Sequence, residues 1–403
     1  MKQVGILMGL VIAACSGDTG PTLPTEFLPV TSVSAGALHS CGLTPTGAVY
    51  CWGSNFAAQL GNGTQTDTTR PVLVSGGFVF SSLSAGEFHN CAVTTAGAAH
   101  CWGDAELGKR GDSLDANGGL TPDTVLGGLS FEKVSAGSSH TCGLTPAGAA
   151  YCWGRNYDGQ LGMGTSAGPQ ICYGIACSTT PVAVAGGLTF ADISAAGAFT
   201  CGVTTTHVAY CRGFNGQGEL GVGTRTGPEI CGSGHACSSS PVPVSGGLSI
   251  ATISASGLHA CAVTTAGKAY CWGDNYFGEL GNGTRDSSLT PVAVSGGYTF
   301  STVSAGAGHT CGITVGGGAV CWGANGGGRL GSGDTVSTTR PVRVVGGHTF
   351  AMISSGHNGG TTCAVTFDKV GYCWGSNVYG QLGNGAMKDS PVPGVDPIWW
   401  TPT

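Results

Sequence analysis

The chain has 403 residues, of which 75 are glycine, and its formal net charge is −6. Glycine is therefore more than twice as frequent as in an average protein, where it makes up about 7% of residues. With 18 prolines, 41% apolar residues and 9% charged residues, the composition excludes a collagen and a disordered chain. The absence of a Lys/Arg cluster disfavours a basic nucleic-acid binder. We therefore predict an ordered, turn-rich and weakly charged all-β protein.

The N-terminus has the pattern of an export signal. Lys2 precedes an apolar run over residues 4–14, which is of signal-peptide length and too short to span a bilayer as a helix. The run ends in Ile-Ala-Ala-Cys, as in a bacterial lipobox, where cleavage precedes a cysteine that then receives lipid. We predict a signal peptide over residues 1–14, lipidation of Cys15 and a tether over 15–26, with an ordinary cleaved signal as the alternative.

Either signal would take the mature chain out of the cytosol. We expect a lipid-anchored protein of the bacterial cell envelope, at the outer membrane or cell surface rather than the inner membrane, with the lipid as its sole membrane contact.

The other 18 of the 19 cysteines fall into nine close pairs, and seven pairs share a spacing of nine intervening residues. An even number of paired cysteines in an exported chain indicates disulfides. A zinc site would need four converging ligands, and each unit offers one pair. The predicted disulfides are Cys41–Cys51, Cys91–Cys101, Cys142–Cys152, Cys172–Cys177, Cys201–Cys211, Cys231–Cys237, Cys261–Cys271, Cys311–Cys321 and Cys363–Cys373.

The seven regular pairs belong to an internal repeat. Their first cysteines recur after 50, 51, 59, 60, 50 and 52 residues. Around them a sequence pattern is repeated that includes Pro-Val, Gly-Gly, Ser-Ala-Gly, His-x-Cys, Cys-Trp-Gly and Leu-Gly-x-Gly. A period of this size is typical of stacked units that cannot bury their apolar faces alone. Each unit reads as four short strands beginning with Pro-Val, and a closed ring of such sheets is a β-propeller.

The hairpin register follows from the cysteines. If Cys41 faces Cys51, Gly42 faces Tyr50, and this pairing of a large with a small residue recurs in every unit. We predict a propeller over residues 27–396 and a tail over 397–403. The first unit lacks a Pro-Val strand in front of it, so we expect Pro391–Val395 to complete the first blade and close the ring.

The segments Ser34–Cys41, Cys51–Asn55 and Gln59–Thr64 resemble the regulator-of-chromosome-condensation repeat. The resemblance covers nearly the whole mature chain and implies a seven-bladed propeller. In the eukaryotic founder of that family, the histidine position looks onto the face that engages a GTPase. Exported bacterial propellers of this class include inhibitors of β-lactamases, so tight protein binding is within its range.

One histidine stands two residues before the first cysteine in five units. Phe199 and Thr361 replace it in the fourth and seventh units. The side chains are expected to lie on different blades, too far apart to share a metal ion. They either hydrogen-bond neighbouring turns or form a partner-binding face. The five are His39, His89, His140, His259 and His309.

The Cys-Trp-Gly tryptophans recur in six units, which indicates packing between blades. Arg212 replaces the tryptophan in the fourth unit. An arginine in a repeated core position must reach a partner or solvent, so Arg212 is a further candidate for binding.

Two neighbouring units carry insertions at the same place, over residues 166–180 and 226–240, each with its own small disulfide. We expect the insertions to lie side by side as stapled protrusions that lose little entropy on binding. The alternative is that they are tolerated surface loops. Their candidate contact residues are Tyr173, Ile175, Ile230 and His235.

The sequence predicts no catalytic constellation, cofactor or metal. The segment 112–118 has oxygen ligands, but it lacks the order and closing glutamate of a calcium loop. We predict a monomeric, non-catalytic binding propeller for a protein or glycan partner, without nucleic acid. Guanine-nucleotide exchange, implied by the resemblance, and a hydrolase with a channel active site are the alternatives.

Overall fold

The computed structural model describes residues 28–113 and 119–394. The predicted signal peptide, the lipidated Cys15, the tether and the 397–403 tail lie outside these ranges. Within them, seven antiparallel sheets are arranged around one axis, and the first strands of neighbouring sheets contact each other along it. The prediction of a seven-bladed β-propeller is confirmed.

The strands of each blade run outward from the axis in chain order, except that two blades have an additional edge strand that precedes its neighbour in the chain. The first strands are Ser32–Ala35, Phe80–Ala85, Lys133–Ala136, Phe190–Ala195, Ile250–Ser256, Phe300–Ala305 and Phe350–Ser355. The second strands are His39–Leu43, His89–Thr94, His140–Leu144, Phe199–Thr204, His259–Thr264, His309–Thr314 and Thr361–Thr366. The third strands are Val49–Gly53, Ala99–Gly103, Ala150–Arg155, Ala209–Phe214, Ala269–Gly273, Ala319–Gly323 and Gly371–Gly375.

Six blades have a fourth strand among the described residues, and two have a fifth. The fourth strands are Thr68–Leu73, Asp123–Thr124, Ile175–Ala183, Ala236–Pro243, Ser288–Ala293 and Thr338–Arg343. The two insertions contribute the additional edge strands Gln170–Cys172 and Glu229–Ile230, and short 3-10 turns occur at Glu106–Gly108 and Gly326–Gly328. Within the described ranges, no helix is long and apolar enough to cross a membrane.

The predicted register and disulfides are confirmed. Cys41 pairs with Cys51, Gly42 with Tyr50 and Leu43 with Val49. All nine predicted cysteine pairs are bonded. Seven of the disulfides bridge the second and third strands of a blade and therefore fix the same register in every sheet.

The Pro-Val strand belongs to the preceding blade, which corrects the predicted order of strands. Val72 pairs with Cys51, so Thr68–Leu73 is the fourth strand of the first blade. At the other end of the chain, Ser390 bridges Gly375 in the seventh blade. The C-terminal segment therefore joins the outer edge of the seventh blade and does not complete the first blade as predicted.

The ring closes by packing of the first blade against the last. Val30 and Val33 lie in one apolar cluster with Val365 of the seventh blade, and the backbone N–H of Val30 donates to the carbonyl of Lys369. This apolar contact excludes water from the interface between the first and seventh blades, as similar contacts do between the other neighbouring blades.

A ring of serine hydroxyls connects all seven blades near the axis. In each blade, the serine of the Ser-Ala-Gly position accepts a hydrogen bond from a backbone N–H in the first strand of the next blade. The acceptor oxygens lie 2.8–3.0 Å from their donors and belong to Ser34, Ser84, Ser135, Ser194, Ser254, Ser304 and Ser354. The bond from Ala35 to Ser354 closes the ring.

The glycine of the same motif allows the blades to approach closely. A Cβ at Gly86 would lie 2.4 Å from the carbonyl oxygen of Gly137 in the next blade. Beside it, the backbone N–H of Glu87 donates to that same carbonyl at 3.2 Å. A side chain at this position would therefore push adjacent blades apart and break the contact around the axis.

Candidate binding face

The chain direction defines two faces of the ring. Because the strands are antiparallel, the loops between first and second strands open on the same face as the segments between third and fourth strands. In the first blade these are residues 36–38 and 54–67, and both insertions belong to this face. We call it the insert face and call the opposite one the hairpin face.

The five repeated histidines are interior residues, at most 1% exposed. The Nε2 of each lies within hydrogen-bond distance of a polar side chain on the next blade. The pairs are His39 with Asn90 Oδ1 (2.9 Å), His89 with Thr141 Oγ1 (2.7 Å), His140 with Thr200 Oγ1 (2.7 Å), His259 with Thr310 Oγ1 (2.8 Å) and His309 with Thr362 Oγ1 (3.0 Å).

The polar residue beside each histidine also donates a hydrogen bond to a backbone carbonyl. Thr310, for example, donates its hydroxyl to the carbonyl of Glu279 at 2.9 Å. Since that proton is used, the threonine oxygen accepts from the histidine Nε2–H. The corresponding donors are Asn90 to Gln59, Thr141 to Lys109, Thr200 to Gln160 and Thr362 to Arg329.

Burial keeps these histidines neutral. It lowers the pKa of His39 and His259 to about 4 and that of His140 to about 3. A partner that docks on the surface cannot touch side chains that are enclosed and already bonded between blades. The structure therefore favours the hydrogen-bonding interpretation of the histidines over the partner-face interpretation.

The tryptophans have the interblade role that the sequence predicted. Five of the indole N–H groups donate at 2.8–3.1 Å to a carbonyl of the preceding blade, and three of these carbonyls also accept the bond from asparagine or threonine. The pairs are Trp52 with Gln381, Trp102 with Gln59, Trp272 with Glu219, Trp322 with Glu279 and Trp374 with Arg329.

The two departures from the histidine pattern are accommodated in different ways. Where Phe199 replaces the histidine, the next blade carries Ala260 in place of threonine, and both are fully buried in one apolar cluster. In the seventh blade, the hydroxyl of Thr361 donates to the carbonyl of Ser376 within its own blade.

Arg212 is buried between the third and fourth blades. Its side chain is fully enclosed, and its Nη2 lies 2.9 Å from the Sγ of Cys152. Burial lowers the pKa of Arg212 to about 9. Arg212 therefore occupies the position of the tryptophan between the blades and does not reach the surface, so the prediction that it contacts a partner or solvent is wrong.

The two insertions share one construction. In the first, Ile171 pairs with Ala176, and Gln170 Oε1 accepts a bond from the N–H of Thr179 at 3.1 Å. In the second, Glu229 accepts the equivalent bond from the N–H of Ser239. Each hairpin is thus tied both by its disulfide and by a side chain to the fourth strand of its blade.

The insertions lie on adjacent blades, as predicted. Gly232 of the second insertion packs against Tyr157, in the third blade's own loop. Among the predicted contact residues, Tyr173 and Ile230 are 70% and 69% exposed. His235 is also exposed, with its ring 5.5 Å from that of Phe214, whereas Ile175 is half-buried.

Other large apolar side chains surround the insertions. Of the 19 that are exposed among the described residues, 12 lie on the insert face. They are Phe56, Leu120, Ile171, Tyr173, Ile230, Leu258, Tyr276, Phe277, Val336, Val378, Tyr379 and Met387. Such a concentration on one side of a molecule is typical of an interaction surface.

A loop that the sequence analysis missed lies across the axis on the insert face. Asn358 of the seventh blade donates to Glu87 Oε2 at 3.1 Å and to Ser138 Oγ at 2.9 Å, in the second and third blades. The adjacent His357 has its Nδ1 3.4 Å from Ser256 Oγ in the fifth blade. In the sequence, this loop differs from the others by two extra residues between Gly356 and the second strand of the unit.

Metal-ligand groupings are sparse over residues 28–113 and 119–394. The group found there consists of Glu229, Cys231 and Cys237. The two sulfurs are joined in a disulfide, so they offer no thiolate for a metal. Most of the segment 112–118, which has oxygen ligands but not the order of a calcium loop, lies outside the described residues.

Fold and site together define a disulfide-stapled repeat propeller with an apolar face. Two models of the regulator of chromosome condensation (RCC1) repeat match this chain, one over residues 30–59, 80–108, 131–160 and 250–279, the other over 46–93, 147–203 and 266–313. Together they cover more than half of the sequence. The chain belongs to the RCC1-repeat family.

Similar proteins have varied functions. The ultraviolet-B receptor UVR8 of Arabidopsis thaliana is 28% identical over 64% of this chain and 56% of its own length. The human E3 ubiquitin-protein ligase HERC2 is 29% identical over 65% of this chain but 5% of its own length. The chain thus spans little more than half of one relative and a small part of the other.

Solved structures show the same fold. Human WBSCR16 superimposes with a TM-score of 0.75 and 18% identity, covering 88% of this chain and 94% of that one. Prp20p of Saccharomyces cerevisiae, studied for its binding to Gsp1p and histones, gives a TM-score of 0.68 and 20% identity. The match covers 81% of this chain and 80% of that one. At these identities the likeness concerns the fold.

Proposed function

We propose that this protein is a non-catalytic binding propeller, displayed outside the cytosol, that recognises a protein partner through its insert face. The observation that carries the proposal is the coincidence of two features on one face. The two stapled hairpins lie there, as do 12 of the 19 exposed large apolar side chains in the described part of the chain.

The insertions have the properties of binding anchors. Tyr173, Ile171 and Ile230 project from short disulfide-closed hairpins, so little conformational freedom is lost when a partner covers them. Tyrosine is enriched among the residues that dominate binding energy, and a central apolar anchor needs such preorganisation. A glycan ligand is an alternative outcome of the same binding experiments.

Export is the second part of the proposal. Nine disulfides fit an oxidising compartment and would not persist in a reducing cytosol. Lipid attachment at Cys15 would tether the propeller to the envelope. Incorporation of labelled palmitate that is lost in a Cys15→Ser variant would support this anchor.

The alternatives have less support. A hydrolytic site in the channel would have to coexist with the loop at His357 and Asn358, which lies across the axis. The buried histidines around that axis are bonded between blades. Nucleotide exchange rests on the family resemblance and requires a cytosolic GTPase, which an exported chain does not meet.

Site-specific photo-crosslinking on intact cells tests the binding face. A photoreactive phenylalanine analogue is placed at Tyr173 and, as a matched control, at Phe367 on the hairpin face, which is 69% exposed. We expect one recurrent protein adduct from position 173 and none from position 367. Equal adducts from both positions, or none from 173, would contradict the proposal.

A further inference from the structure

The charges of the protein are divided between its two sides. Of the 17 Asp and Glu residues described, 13 lie on the insert face, compared with six of the 14 Lys and Arg residues. The acidic residues are Asp67, Glu87, Asp104, Glu106, Asp112, Asp158, Glu219, Glu229, Asp274, Glu279, Asp286, Asp334 and Asp389; the basic ones are Lys109, Arg110, Arg225, Arg285, Arg329 and Lys388. The insert face thus has a formal charge of −7, and the rest of the described molecule has +4.

The excess of negative charge survives a correction for burial. Glu219 and Glu279 are buried, which raises the pKa of each to about 7. If both are counted as neutral, the face still carries −5. Ion pairs within the face, such as Lys109–Asp104 and Arg110–Asp112, leave its net charge unchanged. Arg155, at the end of a third strand, pairs with Asp158 of the face at 2.9 Å, and counting it there reduces the excess to −4.

The negative charge and the apolar anchors occupy the same side. Glu106 in the second blade and Asp286 in the fifth are exposed, on blades that flank the two carrying the insertions. The first insertion has no charged residue over 166–180, and the second has Glu229 alone within 226–237. The two insertions thus carry exposed apolar side chains and a single carboxylate, and exposed acidic residues lie on both flanking blades.

We infer that the partner of the insert face is a protein whose docking surface is positively charged around an apolar centre. This inference rests on the proposed binding function and adds the chemistry of the partner. Opposite potentials on two surfaces accelerate their encounter and reject partners of like charge, and salt screens both effects over roughly 10 Å at 0.1 M.

Selection from a random peptide library tests the inference without knowledge of the natural partner. The purified full chain is exposed to phage-displayed dodecapeptides, and the pool is then depleted on a Tyr173→Ser/Ile230→Ser variant. The remaining peptides require the insertions for binding. We expect them to carry net positive charge beside aromatic or aliphatic residues, and to bind at least tenfold more weakly at 300 mM than at 20 mM salt.

Two matched double variants locate the charge effect. Glu106→Gln/Asp286→Asn removes two exposed carboxylates from the insert face, and Glu132→Gln/Asp368→Asn removes two exposed carboxylates from the hairpin face. The first should slow association of the selected peptides several-fold, and the second less than twofold. Each variant keeps the size of its side chains, so folding is expected to be unaffected.

The outcomes separate the inference from the function beneath it. Selected peptides that are neutral or acidic, or that bind equally at both salt concentrations, would overturn the cationic partner and leave the binding face intact. If no peptide depends on Tyr173 and Ile230, the proposed function itself fails, and the inference with it.

Discussion

In the second blade, Arg110 stands where the other blades place a leucine such as Leu60, which is fully buried. Its Nη2 lies 2.9 Å from Asp112 Oδ2, and its Nη1 lies 3.8 Å from Asp123 Oδ2. Asp123 occupies the register position of Val72, since each pairs with the second cysteine of its blade. The second blade therefore has an ionic contact where the first blade has Leu60 and Val72 in one apolar cluster.

The first prediction concerns this ionic group. Arg110→Leu alone should reduce the free energy of unfolding by about 3 kcal/mol, because it removes a fully buried cation that lies between two carboxylates. The triple variant Arg110→Leu/Asp112→Asn/Asp123→Val restores the first blade's residues and should recover most of the loss. Urea unfolding measures both, and a triple variant no more stable than the single one would contradict the coupling.

The histidines show what a single sequence does and does not reveal about a residue. Their repetition on five blades predicted a structural role and also allowed a partner-binding one. The decision between the two depends on Thr141, Thr200 and their equivalents, which lie about 50–60 residues away on the next blade. A local sequence pattern does not show which residue of the next blade a histidine will meet. The burial of His89 and His140 is therefore seen only in the folded ring.

At the level of strands, the sequence predicted the register within a hairpin but not which strands of neighbouring repeats pair with each other. A C-x9-C hairpin determines its own register, and the predicted pairing of Cys41 with Cys51 holds in the structure. The Pro-Val strand was assigned to the wrong blade, because a period states how often a strand recurs but not which neighbour it pairs with. The same ambiguity misplaced the segment after Ser390, which bridges the seventh blade.

The insertions were readable for a related reason. Their cysteines are five and six residues apart, so the sequence alone defined compact hairpins. Their position at the same point of neighbouring repeats predicted that they lie on adjacent blades, as they do, and Gly232 of the second insertion packs against Tyr157 in the loop of the third blade. The loop at Asn358 was missed because its partners Glu87 and Ser138 lie on blades that are distant in sequence.

At the scale of the whole molecule, the ring depends on buried groups whose ionisation opposes folding. Burial lowers the pKa of His39, His259 and His357 to about 4, from 6.5. Between pH 6.5 and 4, these histidines are protonated in the unfolded chain but not in the native one. Their contribution to the free energy of unfolding is therefore fully present above pH 6.5 and is lost as the pH falls toward 4. Glu219 and Glu279 have raised pKa values, so their contribution is lost as the pH rises from 4.5 through about 7.

We therefore predict a stability maximum close to pH 6.5, with the steeper decline on the acid side, where more groups act. The midpoint of thermal unfolding, measured from pH 4 to 8, should show this profile. His259→Gln retains a donor for Thr310 but cannot titrate, so its acid-side decline should be shallower than that of the unmodified protein. A midpoint that does not change between pH 6.5 and 4.5 would refute this account.

The asymmetry of the two faces is the property of the whole molecule on which the proposed function depends. The most direct measurement compares matched double variants by the affinity for the partner captured at position 173, at constant salt. Tyr173→Ser/Ile230→Ser alters the insert face, and Phe367→Ser/Val315→Ser alters equally exposed side chains on the hairpin face, at 69–70% exposure in every case. We predict a loss of about tenfold or more for the first pair and less than twofold for the second; equal losses, or a loss confined to the hairpin-face pair, would contradict it.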